Sequence, residues 1–169
     1  MSAASGEPVE FGWDRVLAFD ECVGSLDLVL LDPPFIFRAL VASEPGHENA
    51  AAFLAHLDLQ QTAMIVSSLF EVELLAVSCG LGRPELVDAW LGQLRSSNVH
   101  MVPLDGVLPG ATDLVSELGV PASVAVQVVT AWASDVPAIV TTRAAFAFID
   151  EFSLCVSDDA VDAARALRS

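Results

Sequence analysis

Five short apolar runs most constrain the fold of this chain: Leu28–Asp32, Ala63–Ser67, Val99–Val102, Ala138–Thr141 and Ser153–Val156. Each is too short for a helix, most show no alternating polar face, and segments of helix length separate all but the last pair. That is the pattern of parallel strands buried on both sides and joined by helical crossovers. It predicts an α/β protein, a three-layer α/β/α sandwich with a mainly parallel central sheet. The 169 residues suffice for one domain with a real core.

The intervening segments carry helix punctuation. "SEPGHENAAAFLAHL" places Pro45 near a helix start, "SLFEVELLAVSCGLG" ends on glycines, and "RPELVDAWLGQLRSS" opens on Pro84. In "LDGVLPGATDLVSELG" the pair Pro109-Gly110 is expected to break the middle of the segment. Ser68 is expected to cap the helix after the second run, with Glu71 as its capping-box partner. Residues 1–27 read as an N-terminal extension in which "WDRVLAFDECV" is expected to form a short amphipathic helix. The domain spans 28–157, and 158–169 form a C-terminal helix or tail.

Seven arginines and no lysine face 23 acids, for a formal charge of −16. Nucleic-acid binding relies on clustered cations that displace counterions from phosphate, and this chain has no basic run. The charge suits a basic protein partner. The longest uncharged run, Leu118 to Ser134, contains polar residues and falls short of the ~20 residues of a membrane span, so a buried helix is expected there. The opening residues lack the basic and apolar regions of an export signal. Cys22, Cys79 and Cys155 are an odd set without C-x-x-C spacing, which fits free thiols in a cytoplasmic protein. His47, His56 and His100 are dispersed without metal-ligand spacing, and Trp13, Trp90 and Trp132 are expected to pack.

Two acids stand out. Asp32 ends the first apolar run, and in open parallel sheets functional groups gather at the carboxyl ends of strands. The plain alternative is that it caps the helix that follows. Glu73 lies among Leu69, Phe70 and Val77 at helical neighbour positions, whereas Glu71 points about 200° away. A buried carboxylate needs a cation or a hydrogen-bond donor.

The succession "VLLDPPFIFRALVASEPGHENAAAFLAHL", "MIVSSLFEVELLAVSCGLGRPELVDAWLGQL", "VHMVPLDG" and "LGVPASVAVQVVTAWASDVPAIVTTRAAFAFI" resembles the PIN-domain family. It is most similar to the ribonuclease toxins of bacterial type II toxin–antitoxin pairs, from about Leu28 to Ser157. The resemblance implies a metal-dependent RNA endonuclease in which three or four acids hold Mg²⁺ or Mn²⁺. The first acid then corresponds to Asp32 and the second to Glu73. At the third acid this chain has Val124, with Gln127 where the family has a histidine; Glu117 and Asp135 lie elsewhere in the pattern. At the fourth it has Thr142-Arg143, and the small polar residue after the first acid is replaced by Pro33-Pro34.

Those departures have a physical meaning. Two carboxylates ~5 Å apart repel by roughly 3 kcal/mol at an effective dielectric of 20. Metal normally relieves this strain; an arginine in the same cleft relieves it without metal. Arg143 is therefore expected to reach Asp32, Glu73 or both, and to oppose cation entry. If Arg143 faces solvent instead, Thr141, Thr142 and Ser123 are left as poor substitute ligands. Two readings follow. One is a catalytically degenerate PIN-fold protein that needs no cofactor and acts through protein contacts, as a homodimer or with a basic antitoxin-like partner. The other is a Mg²⁺- or Mn²⁺-dependent ribonuclease that uses Asp32 and Glu73, with RNA as its substrate.

Overall fold

The computed structural model describes residues 15–22, 24, 26–95 and 97–169. Their strands are β1 (Val16–Ala18), β2 (Leu28–Leu31), β3 (Ala63–Ser67), β4 (Val99–Val102), β5 (Ala138–Thr141) and β6 (Ser153–Val156). The helices are α1 (Pro33–Leu40), α2 (His47–Leu59), α3 (Leu69–Gly80), α4 (Leu86–Arg95), α5 (Leu108–Leu118), α6 (Ala122–Ala133) and α7 (Val161–Arg168). Short 3₁₀ turns cover Phe19–Glu21 and Ala144–Phe148. All strand pairs are parallel, in the order β1-β6-β5-β2-β3-β4.

Strand periodicity divides the core into two clusters. Val29 and Leu31 of β2, Met64 and Val66 of β3, Ala138 and Val140 of β5 and Cys155 of β6 face one side. There they pack on residues of α1 to α4, including Phe35, Ile36, Phe53, Leu57, Phe70 and Leu74. Leu30, Ile65, Ile139 and Leu154 face the other side, against Leu114 of α5, Val124 and Val128 of α6 and Ala164 of α7. The result is the three-layer α/β/α architecture that the apolar runs predict, with every predicted strand present. Burying one side chain such as Phe35 contributes about 2–3 kcal/mol.

Three local expectations are corrected. The helix expected over 13–23 is not formed by the described part of that segment. Val16–Ala18 instead pair with β6 in the register Val16↔Leu154 to Ala18↔Val156, and the 3₁₀ turn that follows buries Phe19. Residues 16–22 are thus built into the domain: pairing with an open strand edge overrides a weak helical periodicity. Trp13 and Val23 lie outside the described residues. Ser68 makes no side-chain cap bond, because its backbone is already helical (φ −66°, ψ −8°) and cannot aim a hydroxyl at the helix amides. The Glu71 amide bonds to the Ser68 carbonyl instead, at 3.2 Å. Pro109 does not break a helix; α5 starts at Leu108, so the proline falls in its first turn, where its missing N–H costs nothing.

Helix α6 fills the uncharged run, with Val124, Ala125, Val126, Gln127, Val128, Thr130 and Ala131 buried. Gly110 lets α5 lie close against it: a Cβ there would stand 3.2 Å from Cγ1 of Val129. No helix among the described residues is long and apolar enough to cross a membrane.

Candidate functional site

The strand order contains a switch point. From β2 the chain moves outward through β3 and β4, then returns to lay β5 and β6 on the other side of β2. At such a reversal the crossover helices leave the sheet on opposite faces and open a crevice at the carboxyl ends of the strands. Asp32 follows β2, and Thr141 and Arg143 lie at the end of the adjoining β5, so one wall of the crevice bears several residues singled out in the sequence.

Asp32 stands at the head of α1 with extended backbone (φ −73°, ψ 132°), as a cap residue should, yet its side chain makes no cap bond. The two prolines explain why. An N-cap side chain bonds the second or third helical amide. Pro34 has no amide hydrogen, and the Phe35 amide is already bonded to the Asp32 carbonyl at 2.9 Å. The carboxylate is therefore released from capping and turns into the crevice, where it is fully buried.

There it meets donors from β5 and the turn after it. Thr141 Oγ1 donates to Oδ2 at 2.7 Å, Arg143 Nε to Oδ2 at 2.9 Å, and Arg143 Nη2 to Oδ1 at 2.5 Å. The guanidinium grips both carboxylate oxygens, the two-pronged geometry that lysine cannot supply. Its third nitrogen, Nη1, donates to Ser123 Oγ at 2.7 Å, and the group lies 5.1 Å from the centre of the Phe146 ring. The Arg143 amide donates to Thr141 Oγ1 at 3.0 Å, so that hydroxyl accepts from one residue and donates to the other. Arg143 therefore reaches Asp32 and not Glu73.

Glu73, on α3, occupies the opposite wall, half-buried, whereas Glu71 is exposed. Its Oε2 is buried without a hydrogen-bond partner. Burial and the nearby Asp32 charge push its carboxyl above the usual range, with Arg143 pulling the other way. Burial likewise raises the Asp32 carboxyl, against the hydrogen bonds and charge of Arg143 and the hydrogen bond of Thr141. Gln127 is wholly buried. Its Nε2 donates to Ser67 Oγ at 3.0 Å, while its Oε1 has no partner. Val124 is fully buried in the core beside these groups in the sequence of α6. Glu117 and Asp135 are exposed and do not act on either acid.

These residues do not fit a divalent cation. Mg²⁺ and Mn²⁺ want oxygen ligands in an open arrangement. Both oxygens of Asp32 are already bonded to donors, the Ser123 hydroxyl accepts from Arg143, and Val124 offers no ligand. Among the described residues no three His, Cys, Asp or Glu side chains are grouped to hold a metal. The positive charge beside Asp32 is the Arg143 guanidinium.

Sequence reasoning missed two supports of the site. The Phe146 ring beside Arg143 is close in sequence and the Gln127–Ser67 bond joins residues 60 apart, and no motif marks either. The one available signal was an amide in an otherwise apolar helix.

No protein-family model matches the chain, and no curated protein matches it in sequence. Solved structures do resemble it. The crystal structure of VapBC2 from Rickettsia felis bound to a DNA fragment from their promoter has a chain that superposes with a TM-score of 0.60 at 16% identity. The match covers 78% of this chain and 99% of that one. FitAcB from Neisseria gonorrhoeae gives a TM-score of 0.54 at 17% identity over 75% of this chain and 96% of its own. At these identities the likeness establishes the fold, a PIN-like α/β architecture.

Proposed function

We propose that this chain is a catalytically degenerate relative of the metal-dependent RNA endonuclease toxins and acts through protein–protein contacts. One observation carries the reading: Arg143 holds both oxygens of Asp32, the residue at the family's first metal-binding position. The guanidinium supplies internally the positive charge that a divalent ion would bring. It also repels such an ion, and Val124 removes a ligand.

The contacts we propose are with a basic, antitoxin-like protein or a second copy of the chain, in the cytoplasm. A formal charge of −16 without one lysine favours a cationic partner over RNA. The structural relatives VapBC2 and FitAcB are toxin–antitoxin complexes, which supports the same class of partner.

The second reading is a Mg²⁺-dependent ribonuclease using Asp32 and Glu73. The unpartnered, buried Oε2 of Glu73 favours it, since that oxygen lacks a donor and lies close enough to sense the Asp32 charge.

Calorimetry with Mg²⁺ and Mn²⁺ separates the two. Wild type is expected to show no binding, and a variant carrying Val124→Asp and Arg143→Asp is expected to bind. Wild-type binding that disappears in Asp32→Asn, accompanied by metal-dependent RNA cleavage, would overturn the degenerate reading in favour of the enzyme.

A further inference from the structure

Away from the crevice, two cysteines far apart in sequence meet in the core. Cys22 follows the 3₁₀ turn after β1, and Cys155 lies on β6; both are buried. Their sulfur atoms are 2.9 Å apart across a separation of 133 residues, and the Cys22 sulfur also lies 3.3 Å from the carbonyl oxygen of Ala18. Two thiols placed so closely on adjoining backbone segments need little movement to bond. The third cysteine, Cys79, is exposed.

Access is asymmetric. Cys22 lines a surface cleft of about 350 Å³, together with Phe19, Asp20, Asn49, Phe53 and His56. Cys155 does not line it and is wholly enclosed. A small neutral oxidant can enter such a cleft. A bulky anionic disulfide would meet the negative charge of Asp20 at the cleft.

We propose that Cys22 and Cys155 are a thiol pair that peroxide converts to an intramolecular disulfide, fastening the segment after β1 to strand β6. Cys22 is the attacking thiol. Its thiolate sulfur takes one oxygen of hydrogen peroxide, the O–O bond breaks, and the leaving hydroxide picks up the released proton as water. The Cys155 sulfur then attacks the resulting sulfenic sulfur. The S–S bond forms, the S–O bond breaks, and hydroxide leaves with the Cys155 proton as a second water. The thiols lose two electrons and two protons, and one peroxide is reduced to two waters. The hydrogen bond with Cys22, followed by burial, holds the Cys155 thiol well above the ordinary range, so it stays protonated and leaves the first step to Cys22.

The test uses the full chain carrying Cys79→Ser, so that the exposed thiol cannot interfere. Folded protein is treated with hydrogen peroxide and analysed by intact mass and by non-reducing peptide mapping. The expected result is the loss of two hydrogens, a single Cys22–Cys155 cross-linked peptide, and reversal by dithiothreitol. Closing so long a loop should also raise Tm by about 10 °C. Adding Cys22→Ala or Cys155→Ala should abolish both the mass change and the Tm shift. A folded chain that keeps its reduced mass, or gains oxygen at Cys22 without the cross-linked peptide, would overturn the proposal. That mass measurement holds even if either core variant fails to fold.

Discussion

The two walls of the crevice differ in how fully their polar groups are met. On the β2–β5 side the Asp32 carboxylate, the Thr141 hydroxyl and the Arg143 guanidinium satisfy one another, and Ser123 takes the remaining guanidinium nitrogen. On the β3 side, Glu73 Oε2 and the Oε1 of Gln127, whose amide nitrogen bonds Ser67, are buried without partners. Arg143 completes the first wall, and the second stays incomplete. A single arginine reaches only the acceptors within the span of its guanidinium, and the oxygens of Glu73 and Gln127 lie outside it.

This contrast can be broken most severely at Arg143. Arg143→Ala strands the fully buried Asp32 carboxylate without its counter-charge, and should cost about 3 kcal/mol at neutral pH, the lower end for breaking a buried pair. A quarter of the Arg143 side chain is accessible (26%), which holds the cost at that lower end. The pH dependence has a definite sign. Without Arg143 the folded-state pKa of Asp32 rises further above its unfolded value, so the loss is greatest above that raised pKa. It shrinks as falling pH protonates the carboxyl. Urea denaturation at about pH 7 and pH 5 checks both the size and the sign; an equal loss at both would count against a charged Asp32 in the native protein.

Thr141→Val should cost about 1.5 kcal/mol, because it removes a buried hydroxyl that donates to Asp32 and accepts from the Arg143 amide. The same denaturation series measures it. On the opposite wall the direction reverses. Glu73→Gln should be neutral or stabilising by a few tenths of a kcal/mol at neutral pH, a small effect because solvent screens this half-buried group. The raised Glu73 carboxyl makes wild type gain stability as pH falls through its folded pKa, and the glutamine variant should lose that gain. Smallest of all, Glu71→Gln should leave stability unchanged within error, since Glu71 is exposed and makes no capping box.

How much of this was legible in the sequence depended on distance along the chain. Strands β2 to β6 announced themselves because burial on both faces demands unbroken apolar runs. Glu73 could be told from Glu71 because helical periodicity places them on different faces. The contact of Arg143 with Asp32 was expected because the family resemblance places Arg143 at an acid position of the same cleft, where its charge would relieve the carboxylates. Strand β1 was not legible: three residues carry no reliable period, and only the edge of β6, more than 130 residues later, makes Val16–Ala18 extended. The capping reading of Ser68 failed because residue type does not reveal the backbone angles a cap requires. The Cys22–Cys155 approach was hidden for the same reason as β1, since both arise from packing the two ends of the chain together.

Strand β1 also changes what kind of edge the sheet presents to other molecules. At the opposite margin β4 is largely polar or accessible, with His100 and Met101 exposed. By contrast, Ser153–Val156 of β6 are all buried, and β1 covers their outer side. Three residues near the start of the chain thus act as a guard rail against strand-by-strand stacking. A chain shortened to begin at residue 28 would bare the unpaired amides and carbonyls of an apolar edge, and its failure would take the form of self-association.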